Sequence, residues 1–219
     1  MDKKETTESE KSDKSDKSDK SDKVAKASFM QRLIAYLIDG SLISIISSII
    51  AGPFIDTKSL TVLQDSLLEI SNKAQALEIS LDAFIAESIP LIYSIAKVSG
   101  ILSLVTLFVG VVYYILFQHK NNGQTIGKKL LKIKVVSING ELDTNQMLLR
   151  ALIVNEILVN MLVFAMMIFT AKDIYYYGTL VLGMIQYIVM FISGIMIICN
   201  KRGRGLHDLI SYTEVVQEK

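Results

Sequence analysis

The chain has 219 residues, 51% of them hydrophobic, and a formal net charge of +1 from 23 Lys and Arg against 22 Asp and Glu. That balance gives no bulk-charge reason to expect a nucleic-acid or acidic partner. A single cysteine (Cys199) excludes an intrachain disulfide and a Cys-based zinc site, and two histidines, His119 and His207, are too few for a His-rich metal site. No metal and no cofactor is therefore expected.

The charges are unevenly spread. Residues 1–28 hold the repeat KSDKSDKSDKSDK at 11–23, with eight lysines against eight acidic residues up to Ser28. Such a segment has too little apolar surface to offset the entropy of ordering, so a disordered tail is predicted, a docking arm being the alternative. The rest of the chain, 29–219, reads as one membrane domain. A hydrocarbon core about 30 Å thick needs about 20 apolar residues per helix. Four runs meet that need: 33–50, 90–117, 148–170 and 174–199. The first lies behind a long tail and lacks a convincing small-residue cleavage pattern, so it is not read as a signal peptide.

Lys23, Lys26 and Arg32 precede the first run. The loop at 51–88 is acidic, the segment between the second and third runs is basic, and the C-terminal segment 200–219 opens with Lys201, Arg202 and Arg204. The alternation predicts an all-α integral membrane protein with four transmembrane helices and both termini cytoplasmic.

Within the acidic outer loop, Leu60, Leu63, Leu67, Ile70, Ala74, Leu77, Leu81 and Phe84 recur at steps of three and four. That period predicts one long extracytoplasmic amphipathic helix over 59–88 with a coiled-coil-like seam. Thr57 or Ser59 would cap it, and Pro90 would sit in the first turn of the next span. The seam could pack on the protein's own outer surface, lie on the outer leaflet or pair with a second copy. Lys97, in the second run, is expected to snorkel outward.

In the basic segment, Asn121–Gly123 reads as a turn and 132–138 alternates like a strand. Asn139–Gly140 is a hairpin signal, and 141–143 would begin the return. A small cytoplasmic β-hairpin over 130–146 is predicted, to which 211–216 could add a strand. The hexapeptide GQTIGK at 123–128 lacks the spacing of a phosphate loop and has no preceding strand, so nucleotide binding is rejected. Polar residues Asn155, Glu156 and Asn160 interrupt the third run, Tyr175–Tyr177 read as an interfacial anchor, and Gln186 lies deep in the fourth.

Three stretches together, RLIAYLID at 32–39, GQTIGKKLLKIKVV at 123–136 and GLHDLISYTEVV at 205–216, resemble the RDD family of small bacterial and archaeal membrane proteins. The resemblance places the family's arginine at Arg32, its first aspartate at Asp39 and its second at Asp208, beside His207. Gly123, Thr125 and Gly127 match the middle motif, and Arg150 opens the following helix. The resemblance covers most of the chain from Phe29 onward and implies a multi-pass protein of a prokaryotic plasma membrane. Transport of ligands or ions has been proposed for the family. The outer loop and the KSD tail fall outside its pattern.

An ionisable group inside an apolar span is costly and marks either a functional site or a specific packing contact. At 1.5 Å per residue, Asp39 lies about 10 Å past Arg32 and Glu156 about 9 Å past Arg150. Two carboxylates at matching depth could face one another and, with Asn155 and Asn160, hold a proton or small cation. The plainer reading is that Asp39 hydrogen-bonds a neighbouring helix and specifies packing. Arg32 points toward the N-terminus of its helix, away from Asp39, and could instead meet Asp208.

The expectation is therefore a small transporter or cation/proton exchanger using buried carboxylates, in contact with the lipid bilayer. It would work as a homo-oligomer, because four helices leave little room for a pathway. The alternative is a non-transporting structural or regulatory membrane protein that binds a partner through the outer helix. An enzyme is not expected, since no serine or cysteine nucleophile stands in a recognisable motif with His207–Asp208.

Overall fold

The computed structural model describes residues 25–218, so the KSD repeat lies outside the described residues. Helix α1 (Phe29–Ala51) opens on Ser28, whose hydroxyl accepts from Gln31 N while Gln31 Oε1 accepts from Ser28 N. This is a capping box that satisfies two orphan N-terminal donors. A 3₁₀ turn (Gly52–Phe54) leads to α2 (Thr57–Gln75) and α3 (Leu81–Val98). Helix α4 (Gly100–Val111) continues through a π-helical turn (Val112–Phe117) to Lys120. Short α5 (Ile126–Leu130) and β1 (Ile133–Ser137) follow, then α6 (Thr144–Val154), α7 (Ile157–Phe169), α8 (Lys172–Cys199), α9 (Leu206–Ile210) and β2 (Thr213–Gln217).

Three helical stretches are long and apolar enough to cross a membrane: Phe29–Phe54, Gly100–Lys120 and Lys172–Cys199. The pair α6–α7 passes the same test together, although it bends by 63°. Exposed Ile185, Ile188, Phe191, Ile195 and Ile198 give α8 an outward apolar face suited to lipid.

Several features differ from the sequence expectation. The outer segment is a helical hairpin rather than one helix over 59–88. Leu77 turns left-handed at φ 60°, Glu78 N closes onto Lys73 O at 2.9 Å, and Ser80 caps a new helix by accepting from Ala83 N. This is how a helix stops, by satisfying its last carbonyls through a left-handed residue. The cap of α2 is Asp56, not Thr57 or Ser59: its carboxylate accepts from Ser59 N at 3.2 Å.

Pro90 lies inside α3, and the apolar run 90–117 is split at Ser99 between α3 and α4. Lys97 Nζ sits 4.5 Å above the Tyr93 ring.

No hairpin forms over 130–146. Strand β1 pairs antiparallel with β2, Val135 opposite Val215, and the intended return is taken by the start of α6, where Gln146 Oε1 accepts from Asp143 N. Residues Ala25–Ser28, read as tail, join this sheet: Gln217 N donates to Ala25 O at 2.7 Å and Ala27 N to Val215 O at 3.0 Å.

The sheet's inner face carries one core, built from Ala27, Ala35, Ile133, Val135, Met147 and Val215. A second core of Ile43, Tyr113, Tyr114, Ile115, Ala151 and Ile157 lies among α1, α4, α6 and α7. Ile133 is fully buried. Ile133→Ala should therefore lower the unfolding free energy in detergent by about 2–5 kcal/mol, read from a chemical unfolding curve followed by circular dichroism.

Candidate functional site

Two polar clusters hold the sheet and α5 against the helices. The first is centred on Asp39, 1% exposed in α1. Its Oδ1 accepts from the Tyr113 hydroxyl at 2.6 Å and from Gly127 N at 2.8 Å, and its Oδ2 accepts from the Thr125 hydroxyl at 2.6 Å. Tyr113 in turn accepts from Ile126 N at 2.9 Å, and Thr125 caps α5 by accepting from Lys128 N. Every donor at the start of α5 thus reaches Asp39 directly or through one hydroxyl. A carboxylate at orphan helix donors is favourable by charge and by hydrogen bonding.

Gly127 is required for this approach. A Cβ there would overlap the Ala35 carbonyl and come within 2.9 Å of Asp39 Oδ1. Gly123 has φ +80°, and a Cβ would run into the Val135 carbonyl. Both glycines of the middle motif are therefore places where backbone meets backbone.

The second cluster is centred on Asp208, with an exposure of 0%. Arg32 Nη1 donates to its Oδ2 at 2.7 Å, the contact that the direction of the Arg32 side chain allowed, and Arg150 Nη1 donates to its Oδ1. Gly205 N adds a bond to Oδ2 at 3.0 Å. Arg32 also reaches Val215 O and Arg150 reaches Thr213, so both guanidinium groups hold β2 as well. Burial by itself would raise the Asp208 pKa, but the Arg150, His207 and Arg32 side chains outweigh it and hold the carboxyl well below the usual carboxylate range.

His207 belongs to helix α9, and both it and Asp208 are buried. Its Nδ1 lies 2.7 Å from Ser193 Oγ, and its Nε2 lies 3.4 Å from Asp208 Oδ1. A neutral imidazole accepting from Ser193 at Nδ1 accounts for both contacts. Burial, followed by the nearby Arg150 charge, pushes its pKa down to about 3.

The predicted facing of Asp39 and Glu156 does not occur. The hydrogen bonds to Asp39 come from Tyr113, Thr125 and Gly127. Glu156 sits at the break between α6 and α7 with φ 57°, a left-handed conformation uncommon for a residue with a side chain. Equal depth along two helices says nothing about azimuth, and the 63° bend turns Glu156 away from the line assumed for a straight span.

Glu156 instead lines a separate cavity of ≈ 640 Å³, walled by α1, α4 and α7, with Asn155, Asn160, Ser41, Ser44, Ser48 and Thr106 also contributing. The carbonyl of Ile153, freed by the break, is taken up by Gln186 Nε2 at 3.0 Å. Sequence reasoning singled out Gln186 but not this partner, and it passed over Tyr113 altogether. The only signal for Tyr113 was a tyrosine placed among aliphatic residues. Among the described residues no group of three His, Cys, Asp or Glu is placed to hold a metal ion.

Apolar helices of spanning length, clamped at one end to a two-stranded sheet by buried arginine–aspartate pairs, define a small membrane protein with a polar hub. The RDD family model matches residues 26–212, most of the chain, and the protein belongs to the RDD family. Of the residues that carried the resemblance, Arg32, Asp39, Thr125, Gly127, Arg150 and Asp208 take part in the two hubs, and Gly123 packs against Val135 beside them. No curated protein and no solved structure matches the chain.

The clamp gives a pH dependence with a defined sign. Because the folded His207 binds its proton only near pH 3, the unfolded chain binds more protons between about 6.5 and 3. Stability is then highest above about pH 6.5 and falls as the pH drops through that window. Melting temperatures taken from pH 7 to 4.5 should fall, and His207→Gln should flatten the slope. Asp208→Asn should cost about 3–5 kcal/mol at pH 7, since two buried guanidinium groups lose their carboxylate.

Proposed function

We propose that the protein is a small four-span carrier that exchanges a monovalent cation or a proton, with Glu156 as the exchanging carboxylate. One observation carries this reading: a broken pair of apolar helices whose break holds a carboxylate against a cavity of ≈ 640 Å³ that has hydroxyl and amide groups in its otherwise apolar lining. Discontinuous helices with unwound backbone are where membrane carriers build ion sites, because free carbonyls and half-helix ends can solvate charge there. The hydroxyls and amides of Ser41, Ser44, Thr106, Asn155 and Asn160 are oxygen donors suited to a hard cation.

The sheet supports the four-span reading. Ala25–Ala27, β1 and β2 are hydrogen-bonded together, which supports placing the segment before α1, the middle segment and the segment after α8 on one side. That requires an even number of crossings between each pair. Helices α1 and α4 supply the first two, and the α6–α7 pair with α8 supplies the next two. Basic residues flank this side, which favours the cytoplasm of a prokaryotic cell.

Asp39 is a latch in this scheme, since its three partners leave it little freedom to trade ligands. The Ser193–His207–Asp208 contact supports a structural rather than an enzymatic role. A general base needs a pKa near the working pH, and His207 lies at about 3 with Ser193 buried beside it. The alternative of a partner-binding protein draws on the α2–α3 hairpin, which leaves Val62, Leu68, Leu77 and Leu81 exposed.

Purified protein in liposomes, loaded with Na⁺, K⁺ or a pH indicator, tests the proposal. Wild type should move one of these ions, and Glu156→Gln should fall to the level of empty vesicles. Asp39→Asn should lose about 1–3 kcal/mol of stability, because a buried donor goes unpaired, while whatever protein folds retains flux. Removal of 59–87 should preserve flux. Undiminished flux by Glu156→Gln would sink the carrier mechanism.

A further inference from the structure

A second cavity, of ≈ 150 Å³, lies between the Glu156 cavity and the sheet. Tyr36, Tyr114 and Asn155 line both. Its polar lining includes Arg32, Lys128, Arg150, His207 and Asp39, and its apolar lining includes Phe29, Leu33, Met190 and Ile197. These four apolar residues come from α1 and α8, with Val154 of α6 and Val215 of β2 completing the apolar lining.

The charges here do not cancel. Three cationic side chains, Arg32, Lys128 and Arg150, stand with two carboxylates, Asp39 and Asp208, and His207 is neutral. Counting the lining and the Asp208 it binds, one positive charge is left over, and Glu214, near Arg32, lies outside the lining. The carboxylates are also already committed. Asp208 is bound by Arg32, Arg150 and Gly205 N, and Asp39 by Tyr113, Thr125 and Gly127 N. Among the described residues, Lys128 Nζ has no hydrogen-bond acceptor and no salt-bridge partner, Arg32 Nε is buried without an acceptor, and Arg150 donates only through Nη1. Arg32 and Arg150 are both more than nine-tenths buried as side chains. Burial and the Arg150 charge push the Lys128 ammonium down to about 7.

A buried cation either gives up its proton or acquires a counter-ion. Guanidinium groups with spare N–H donors favour a planar or tetrahedral oxyanion over a spherical halide. A cavity of this size holds a molecule about as large as benzene.

We propose that this cavity binds one phosphate-type oxyanion carrying a single negative charge, with Lys128 as its counter-ion and the free N–H groups of Arg150 as its donors. Two sources share that chemistry: the phosphodiester of an anionic lipid headgroup entering between α1 and α8, and free inorganic phosphate. The site is separate from the Glu156 cavity, and it stands whether or not the protein carries cations.

The test uses the purified full chain in detergent at fixed ionic strength set with chloride. Melting temperature and calorimetric binding are measured with short-chain phosphatidylglycerol, short-chain phosphatidylcholine and inorganic phosphate. Saturable binding of phosphatidylglycerol alone assigns the lipid headgroup, and binding of phosphate alone assigns the free ion. Binding of both assigns the shared group. Lys128→Gln should weaken binding by at least about tenfold, the worth of one charged hydrogen bond, while Lys129→Gln at the exposed neighbour leaves it unchanged. Binding no better than chloride, an equal response to phosphatidylcholine, or full affinity in Lys128→Gln overturns the proposal. If Lys128→Gln does not fold, the three ligands on wild type decide the matter by the same criteria.

Discussion

One buried carboxylate answering two buried guanidinium groups is the constraint from which the rest of the architecture follows. Asp208 joins Arg32 at the start of α1 to Arg150 in α6, and the same arginines reach Val215 and Thr213 on β2. Three segments, with Arg32 lying 176 residues and Arg150 58 residues from Asp208 along the chain, are thereby fixed at one end of the bundle. Burying such a cluster adds little net stability, because desolvation consumes most of the Coulomb attraction. Its value lies in registration: any slip of β2 or α6 strands a charge, and stranding a charge costs far more than an unpaired apolar contact. Asp39 does the same for the middle segment, holding α5 by its orphan donors against the face of α1.

The two hubs explain why the backbone is so tightly specified around them. Gly127 and Gly123 stand where α5 and the preceding turn press against Ala35 and Val135. Thr125 must be both a cap and a donor to Asp39, which a serine could also do and an alanine could not. The π-helical turn in α4 belongs to the same set. It lies where Tyr113 bonds Asp39 while the adjacent Tyr114 lines both cavities, and extra residues in a turn are a recurrent way to re-aim side chains near a site.

Much of this was legible in the sequence, and the failures have identifiable causes. The Arg32–Asp208 pair was readable because side chains lean toward the N-terminus of their helix, which sends Arg32 to the sheet end. Strand β1 was readable from its alternation, but its partner was not. Asn139–Gly140 is a strong local turn signal, yet Asp143 and Gln146 begin a helix, while 213–217 offers the deeper apolar surface of Val215 and Val216. The outer seam was real as periodicity. A single helix would have left its narrow apolar stripe unpartnered, whereas folding at Leu77 lets α2 and α3 cover part of each other. Glu156 was found as a polar residue and misplaced as a partner, because helical depth is one coordinate and facing requires two.

The break at Glu156 is a built feature rather than a frayed one. An interrupted helix in an apolar setting leaves carbonyls that must be answered. Gln186 answers that of Ile153, and Tyr93 donates to the carbonyls of Met167 and Thr170 at the far end of α7. With the last carbonyls of α6 and of α7 both answered by side chains from other helices, α7 is tied to α3 at its far end and the break before it is tied to α8. A left-handed glutamate costs conformational energy that a glycine there would not. The protein has a carboxylate at that position, beside Asn155 and lining a cavity to which Ser41, Ser44, Thr106 and Asn160 also contribute. Packing alone asks for a small residue at such a break, so the carboxylate answers a different requirement, and the ion site proposed above supplies one.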